Sequence, residues 1–409
     1  MRLDATVDSS PIYLRSVRVS GRSHDVFFVT TSYGRTYAID AASGRVLWLF
    51  SPSGYRSWAG TYRITNSTPV ADPNRRYVYA ASPDGRIHKL AVASGREAKG
   101  WPVRITRLPA REKIGPALNY SRGLVLAATG GYVGDTPPYQ GHAVAISAKT
   151  GRIVHIWNAL CSDQSGLIDP PSCSESGSAI WARSGVVVEP GSGKLLVATG
   201  NGRFDGHHYW GDSVLELSAN AGRLLQNWTP ADYAQLQQGD VDLGSTAPAL
   251  LGSGLAVQGG KDGKLRLLSL GELNGKGGAG PTTGGELQTI QSGALFSAPA
   301  VWHHAGQTWL FVATFSDTTA FRLEAGKLKQ VWHVGAGARS PVVAGGLLYL
   351  YTGNGLAVLD PESGSLVARL DAGDGHWNSP IVTDGRIALP EGNANDQQQT
   401  GVLDIWRLR

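Results

Sequence analysis

Two cysteines and two histidine pairs are the first residues whose types and spacing suggest chemistry. Cys161 and Cys173 stand in CSDQSGLIDPPSC, where Gly, Asp, Ser and two prolines make the intervening segment a loop. Two lone cysteines flanking one loop suit a disulfide formed in an oxidising compartment, with two unrelated reduced thiols as the alternative. A metal pair fits less well, because no His or third Cys sits nearby at ligand spacing. His207-His208 and His303-His304 are adjacent pairs, and neighbours on a strand point to opposite faces. Both pairs read as solvated loop residues, with His207 or His208 also placed to reach a ligand. The stretch GELNGKGGAGPTTGGE (Gly271–Glu286) looks like a phosphate loop, but no strand leads into GxxxxGK[ST] and no helix follows. It reads as a flexible insertion. Neither a GxSxG elbow nor an HExxH pair is present, and nothing suggests a glycosidase-type carboxylate pair.

The elements that would position these residues are short strands. Among 409 residues, 54 are Gly and only 17% are charged, a mix that suits many strands joined by tight turns. The net charge of +5 comes from 37 basic and 32 acidic residues, and the basic ones form no run, which argues against a nucleic-acid partner. No apolar run reaches the roughly 18 residues of a membrane span. The start, MRLDATVDSS, has no apolar h-region, so no signal peptide is visible. A disulfide and a missing signal are compatible in a mature form or a truncated gene model. The expected location is periplasmic or secreted, and the expected state is a monomer.

One pattern returns along the chain: apolar-x-Asp, two residues, Ser/Thr-Gly, then a short strand that often carries Trp. It reads YAIDAASGRVLW (Tyr37–Trp48), AISAKTGRIVHIW (Ala145–Trp157), LELSANAGRLLQNW (Leu215–Trp228) and AVLDPESGSLVARL (Ala357–Leu370). The Gly can take φ > 0 at the end of the turn, the Asp can accept from turn N–H groups, and the indole can be buried on the next unit. A second pattern, small-x-Pro-apolar, recurs out of phase at Pro11, Pro69, Pro116, Pro248, Pro299, Pro341 and Pro380. SGSAIW fits the same frame with Ala179 in place of Pro, which makes eight strand starts. Their spacing of about 40–70 residues is that of propellers and solenoids. Four antiparallel strands repeated eight times predict an all-β, eight-bladed β-propeller in a single domain over residues 1–409. The last unit, GVLDIWRLR, stops after a third strand, so the segment around Leu3–Val7 is expected to supply the fourth and close the ring.

These repeats resemble the pyrroloquinoline quinone (PQQ)-like propellers, the quinoprotein alcohol dehydrogenase-like family, over nearly the whole chain. The resemblance implies either a quinone- and Ca²⁺-dependent alcohol or polyol dehydrogenase or a non-catalytic scaffold. For the first, SGSAIWARSGVVVEPGSGKLLVATGNG is similar in layout to the cofactor region and places Trp181 at the quinone-stacking position and Asn201 at the calcium position. QQGDVDLG offers Asp240 or Asp242 as the base, GGKDGKL offers Lys261 as the basic contact, and Asp135 is a loose substitute for the family's Glu calcium ligand. The family's adjacent Cys-Cys pair is absent. The leading expectation is a binding or scaffolding propeller with no cofactor, and the dehydrogenase with PQQ and calcium is the alternative.

Loop lengths predict the working face. With strands running A to D outward, the D–A and B–C loops emerge together. The long insertions fall mainly there: residues 51–66, 158–176 and 229–244 between blades, and 130–141 and 201–212 within them. Gly271–Glu286 is the exception and is expected on the opposite face. Tyr55, Trp58, Tyr62, Tyr132, Phe204, Tyr209 and Trp210 either line one mouth of the ring, where a protein or small-molecule ligand would bind, or pack the loops against one another.

Overall fold

The computed structural model describes residues 1–353 and 355–407. Eight four-stranded antiparallel sheets stand in a ring, each blade meandering outward from the axis. The first is Ile12–Val19, Arg22–Thr30, Thr36–Asp40 and Val46–Phe50. Six more follow within residues 70–104, 119–158, 187–228, 249–291, 300–334 and 342–370. Inner strands of neighbouring blades touch one another around the axis.

Strand alternation explains why blades stack. In the third blade, Leu124–Ala128 has no polar residue because both of its faces are covered. Val125 and Ala127 pack on Tyr79 and Ile87 of the second blade, whereas Leu126 and Ala128 pack on Leu195 and Val197 of the fourth. The recurring turn then locks one blade to the next. Asp40 Oδ1 accepts from the backbone N–H of Ala42 (3.1 Å) and Ser43 (2.7 Å), and Gly44 takes φ 71°. Trp48 donates its indole N–H to Val92 O at 2.8 Å and lies over the turn glycine of the second blade. A Cβ on that glycine, Gly95, would stand 2.7 Å from the indole. Trp332 lies over Gly364 of the seventh blade in the same way. The glycine therefore serves two ends: its own turn and the flat seat for its neighbour's tryptophan.

The ring closes as the truncated last repeat implies. The eighth blade is Ile381–Thr383, Arg386–Pro390 and Gly401–Arg407, with Arg2–Leu3 as its outer strand. Arg2 pairs with Val402 and Leu3 with Gly401. Ala5 and Val7 then run inward, fully buried.

Three local expectations change. The fourth blade begins at Val187, not at SGSAIW. Ser178–Trp181 is a crossing segment at the mouth, held by Ser178 N–H to Asn201 O (2.5 Å) and Ile180 N–H to Thr129 O (3.0 Å). Gly141 and Gly202 make room for it, since a Cβ at either would collide with Ser178. The insertion Gly271–Glu286 is neither loose nor confined to the opposite face. It climbs the outer edge of the fourth blade, with Gly280 N–H on Asn227 Oδ1 (2.9 Å) and Gly284 N–H on Thr229 O (2.8 Å), until Pro281 meets Gly206. Covering an exposed strand edge gives that loop a structural role. His303 and His304 end the inner strand Ala300–His304 of the sixth blade, where the His304 ring stacks on Trp302 at 4.3 Å.

Cys161 and Cys173 are joined in a disulfide that closes a loop with a sequence separation of 12. Reduction is expected to lower the unfolding free energy by roughly 3 kcal/mol, the chain-entropy value for a loop of this size. Urea melts with and without reductant measure it, and coincident curves would show that the loop is held by its packing alone.

Candidate functional site

The mouth of the ring on the long-loop face gathers Asn201, Asp240, Asp242 and Lys261 into one polar cluster. Asn201 opens the loop after Leu195–Ala198. Asp240 caps the helix Tyr233–Gly239 with a left-handed φ of 53°, and Asp242 leads into the turn Leu243–Ser245. Lys261 follows the strand Leu255–Gln258. Asp242 Oδ1 accepts from Asn201 N–H at 2.7 Å, and its Oδ2 pairs with Lys261 Nζ at 2.6 Å. Asn201 Nδ2 donates to Asp240 Oδ1 at 2.8 Å, which leaves Asn201 Oδ1 buried without a partner. Gly200 supports this arrangement by having no side chain, since a Cβ there would land on Asp242 Oδ1. Asp242 is 7% exposed, whereas Asp240 faces solvent.

Trp181 forms the apolar side of the cluster. Its ring is half-buried, with Lys261 Nζ at 5.8 Å from the ring centroid and Trp377 edge-on at 5.8 Å. The aromatic contacts continue from Trp377 to Phe296 (6.2 Å) and from Phe296 to Phe315 (5.0 Å, stacked). Burial works against the Lys261 charge, but Asp242 outweighs it and the ammonium is held above its usual range. Asp135 is hydrogen-bonded to Tyr139. Desolvation and the negative charges of Asp242 and Asp240 push its carboxyl above the ordinary range. It acts on the cluster through space and is not a member of it.

Sequence reasoning missed the seam of the ring. Asp8 is 1% exposed and accepts four hydrogen bonds: His376 Nδ1 (2.8 Å), Trp377 N–H (2.6 Å), Asn66 Nδ2 (2.8 Å) and Ala394 N–H (3.1 Å). Burial works against its charge, but the bonds from His376 and Trp377 and the nearby Arg183 charge hold the carboxyl below its ordinary range. Asp8 thereby fixes Trp377 against Trp181. The available signal lies in the polar residues that lead into three of the recurring prolines, Asp8 before Pro11, Asn66 before Pro69 and Asn378 before Pro380. Those residues line the axis, and proline spacing alone does not report them.

The loop aromatics are mainly packing. Trp58, Tyr132 and Trp210 are buried, with Trp58 Nε1 donating to Tyr33 O (2.9 Å), Tyr132 OH to Pro109 O (2.9 Å) and Trp210 Nε1 to Ser162 Oγ (2.9 Å). Phe204 packs edge-on against Tyr233 at 5.0 Å, Arg203 covers Tyr209 at 4.7 Å, and Arg35 covers Tyr55 at 3.8 Å. Tyr62 is 50% exposed beside Tyr132, and His207 and His208 are exposed with their backbone N–H groups on Asp205 Oδ1 at 2.8 Å each.

Comparison with known proteins agrees with this architecture. Residues 7–166 match the PQQ_2 family, described as outer membrane protein assembly factor BamB. The chain is 24% identical over 249 residues to quinohemoprotein alcohol dehydrogenase ADH IIB of Pseudomonas putida, covering 53% of this chain and 34% of that protein. It is 23% identical over 364 residues to tetrathionate hydrolase of Acidithiobacillus ferrooxidans, covering 86% of this chain and 66% of that protein. The chain thus spans about a third of one curated relative and 66% of the other. Among solved structures, quinohemoprotein alcohol dehydrogenase ADHIIG from Pseudomonas putida HK5 superposes with TM-score 0.71 at 14% identity, covering 100% of this chain and 75% of that one. BamB from Moraxella catarrhalis superposes with TM-score 0.62 at 13% identity, covering 100% and 98%. At these identities the superpositions speak for the fold alone. The repeat, the ring and the family match over residues 7–166 together support a resemblance to the PQQ-like propellers.

Proposed function

We propose that this PQQ-like propeller is a binding protein that works outside the cytoplasm and takes a small molecule or protein partner on its long-loop face, over Trp181 and the Asp242–Lys261 pair. The observation that carries this reading is the occupancy of Asp242. Both of its oxygens are engaged, one by Asn201 N–H and the other by Lys261. These contacts give Asp242 a positioning role that needs no proton transfer: it holds Asn201 and Lys261 beside Trp181. The disulfide supports the oxidising location.

The donors present do not fit the calcium ion that the family resemblance implies. Calcium wants about six to eight oxygens, usually with several carboxylates. Among the described residues no three acidic, His or Cys side chains converge on one point. Asn201 Oδ1 is available, but Asp242 is paired with the Lys261 ammonium and Asp135 is hydrogen-bonded to Tyr139.

One observation favours the dehydrogenase as a second reading: Lys261 pairs with Asp242 while standing over the Trp181 ring, with the unpartnered Asn201 Oδ1 in the same cluster. Titration with PQQ and Ca²⁺, followed by tryptophan quenching and alcohol-dependent dye reduction, separates the two. We expect neither saturable quenching nor turnover. Saturable quenching with turnover, lost in Asn201→Ala and Asp240→Ala, would establish the dehydrogenase instead. For the binding reading, compounds that raise Tm in a metabolite screen are expected to lose that effect in Trp181→Ala.

A further inference from the structure

We propose that a binding site for a small anion lies between the Lys113 ammonium and the free edge of the Arg183 guanidinium. The proposal does not depend on what occupies the mouth over Trp181.

Both cations are placed by short, well-anchored segments. Lys113 stands on Glu112–Lys113, which pairs with Gly130–Gly131. Arg183 stands on the segment that crosses from Trp181 to the fourth blade, held by Ala117 N–H on Arg183 O at 3.0 Å. Its guanidinium reaches across the axis, where Nη1 donates to Asp8 O (3.2 Å) and Asn66 O (3.0 Å). Both acceptors are neutral carbonyls. Arg183 Nε is buried with no partner. The edge left over is therefore the one formed by Nε and Nη2, whose two parallel N–H groups match two oxygens of one anionic group.

No carboxylate meets either cation at ion-pair distance among the described residues. Asp8 gives its carboxylate to His376, Trp377, Asn66 and Ala394, and Asp135 gives its own to Tyr139. Lys113 Nζ stands 5.9 Å from the Tyr132 ring centroid. Asp8 acts on both cations and Asp135 on Lys113 only from beyond contact distance, so burial of the two cations is incompletely offset, and an anion between them would lessen that penalty. A second observation points to the same place. The hydroxyls of Ser9 and Ser67, each on a residue 1% exposed, have no partner. They directly follow Asp8 and Asn66, whose carbonyls hold Arg183. Buried hydroxyls without partners are costly, and both can donate to an anion. Asn66 Oδ1, also unpartnered, is an acceptor and suits the Lys113 ammonium or a water.

The charged groups that act on Lys113 come from three segments: Asp8 near the start of the chain, Asp135 on the loop after Gly130–Gly131, and Arg183 on the crossing segment. Burial lowers the ammonium to about 8, Asp8 and Asp135 oppose the change, and Arg183 adds to it. Lys113 is charged at pH 7 and neutral well above pH 8, so anion affinity should fall across that range.

A tetrahedral oxyanion and a carboxylate on an organic molecule share the required two-oxygen geometry, so the test has two arms. Crystals are soaked in selenate or in 4-bromobenzoate, and anomalous density is sought between Lys113 and Arg183. In solution, sulfate and benzoate are titrated against chloride at equal ionic strength while Tm is followed. A peak from selenate alone assigns the site to oxyanions, and one from 4-bromobenzoate alone to carboxylates. The matching anion is expected to raise Tm at pH 7. Its affinity should fall about tenfold or more at pH 9.5, in Lys113→Met and in Arg183→Lys, which keeps the charge but loses the fork. If Arg183→Lys does not fold, Lys113→Met and the pH series decide alone. Absence of a peak in both soaks, or a Tm rise that Lys113→Met leaves unchanged, overturns the proposal. Neither result bears on the Trp181→Ala test at the mouth.

Discussion

Asp8→Ala is expected to lower the unfolding free energy by about 3–5 kcal/mol, the scale of several buried donors losing one acceptor at roughly 1–3 kcal/mol each. Asp8, near the start of the chain, accepts from three donors toward its other end, His376, Trp377 and Ala394, and from Asn66 at the entry of the second blade. Alanine leaves His376, Trp377 N–H and Asn66 Nδ2 without their common acceptor in a site that water reaches poorly. The same group sets an acid limit. Its folded-state carboxyl titrates below the usual range, so its contribution is present above the ordinary Asp pKa of about 3.9 and is lost as pH falls through the lower folded value. Urea melts at pH 7 and pH 3 for wild type and variant test both points. The difference between the two proteins should be large at pH 7 and smaller at pH 3. A loss under about 1 kcal/mol at pH 7, the scale of an ordinary substitution, would show that the seam is held by its strand pairing alone.

Gly200→Ala is expected to dismantle the mouth. The backbone there is not left-handed, so the effect is purely steric. The added carbon lands on Asp242 Oδ1, the atom that holds Asn201 N–H, and comes within 3.4 Å of Trp181 Nε1. The surrounding backbone has little room to yield. Gly200 N–H is bonded to Ala179 O at 2.9 Å, and Gly200 O accepts from Asp212 N–H at 2.9 Å. Overpacking of this kind costs about 1–3 kcal/mol, and here it should also abolish any ligand response that depends on Trp181. Gly335→Ala is the control, because a Cβ at that position would have nothing within 4 Å and its backbone is not left-handed. It should change stability by no more than about 0.5 kcal/mol. Equal behaviour of the two variants would mean that the Asp242–Asn201 contact contributes nothing.

The ring is legible in the sequence because its signals are local. Asp40, Gly44 and Trp48 make a turn and a docking contact within nine residues, and the same physics repeats down the chain. Blade number follows from the prolines, and closure from the short last repeat. Trp181, Asn201, Asp242 and Lys261 are nameable only through a family resemblance, yet the fold does bring them together. Asp8, His376 and Trp377 are not nameable, because their bonds join residues 368 and 369 positions apart and no periodicity reports such a contact. The start of the fourth blade is misplaced for a related reason. SGSAIW has the residue types of an inner strand, and only the glycines at 141 and 202, on other loops, admit it as a crossing segment instead. Loop aromatics are ambiguous in kind: hydropathy alone does not tell a ring that awaits a ligand from one that packs a loop, and Trp58 and Trp210 belong to the second sort.

The strand pairing of Arg2–Leu3 with Gly401–Arg407 also sets an order of events on the ribosome. The seven blades before it are each built from neighbouring stretches of chain and can form as they emerge. Arg2 and Leu3 have no strand to pair with until the final one has been translated, some 400 residues later, and Asp8 lacks three of its four donors until residues 376–394 have been made. Through most of synthesis the nascent protein is an open arc with two unpaired sheet edges and the apolar side chains of Leu3 and Val7 uncovered. A chaperone that shields those edges would find its substrate in that interval, and release at the last strand would coincide with closure.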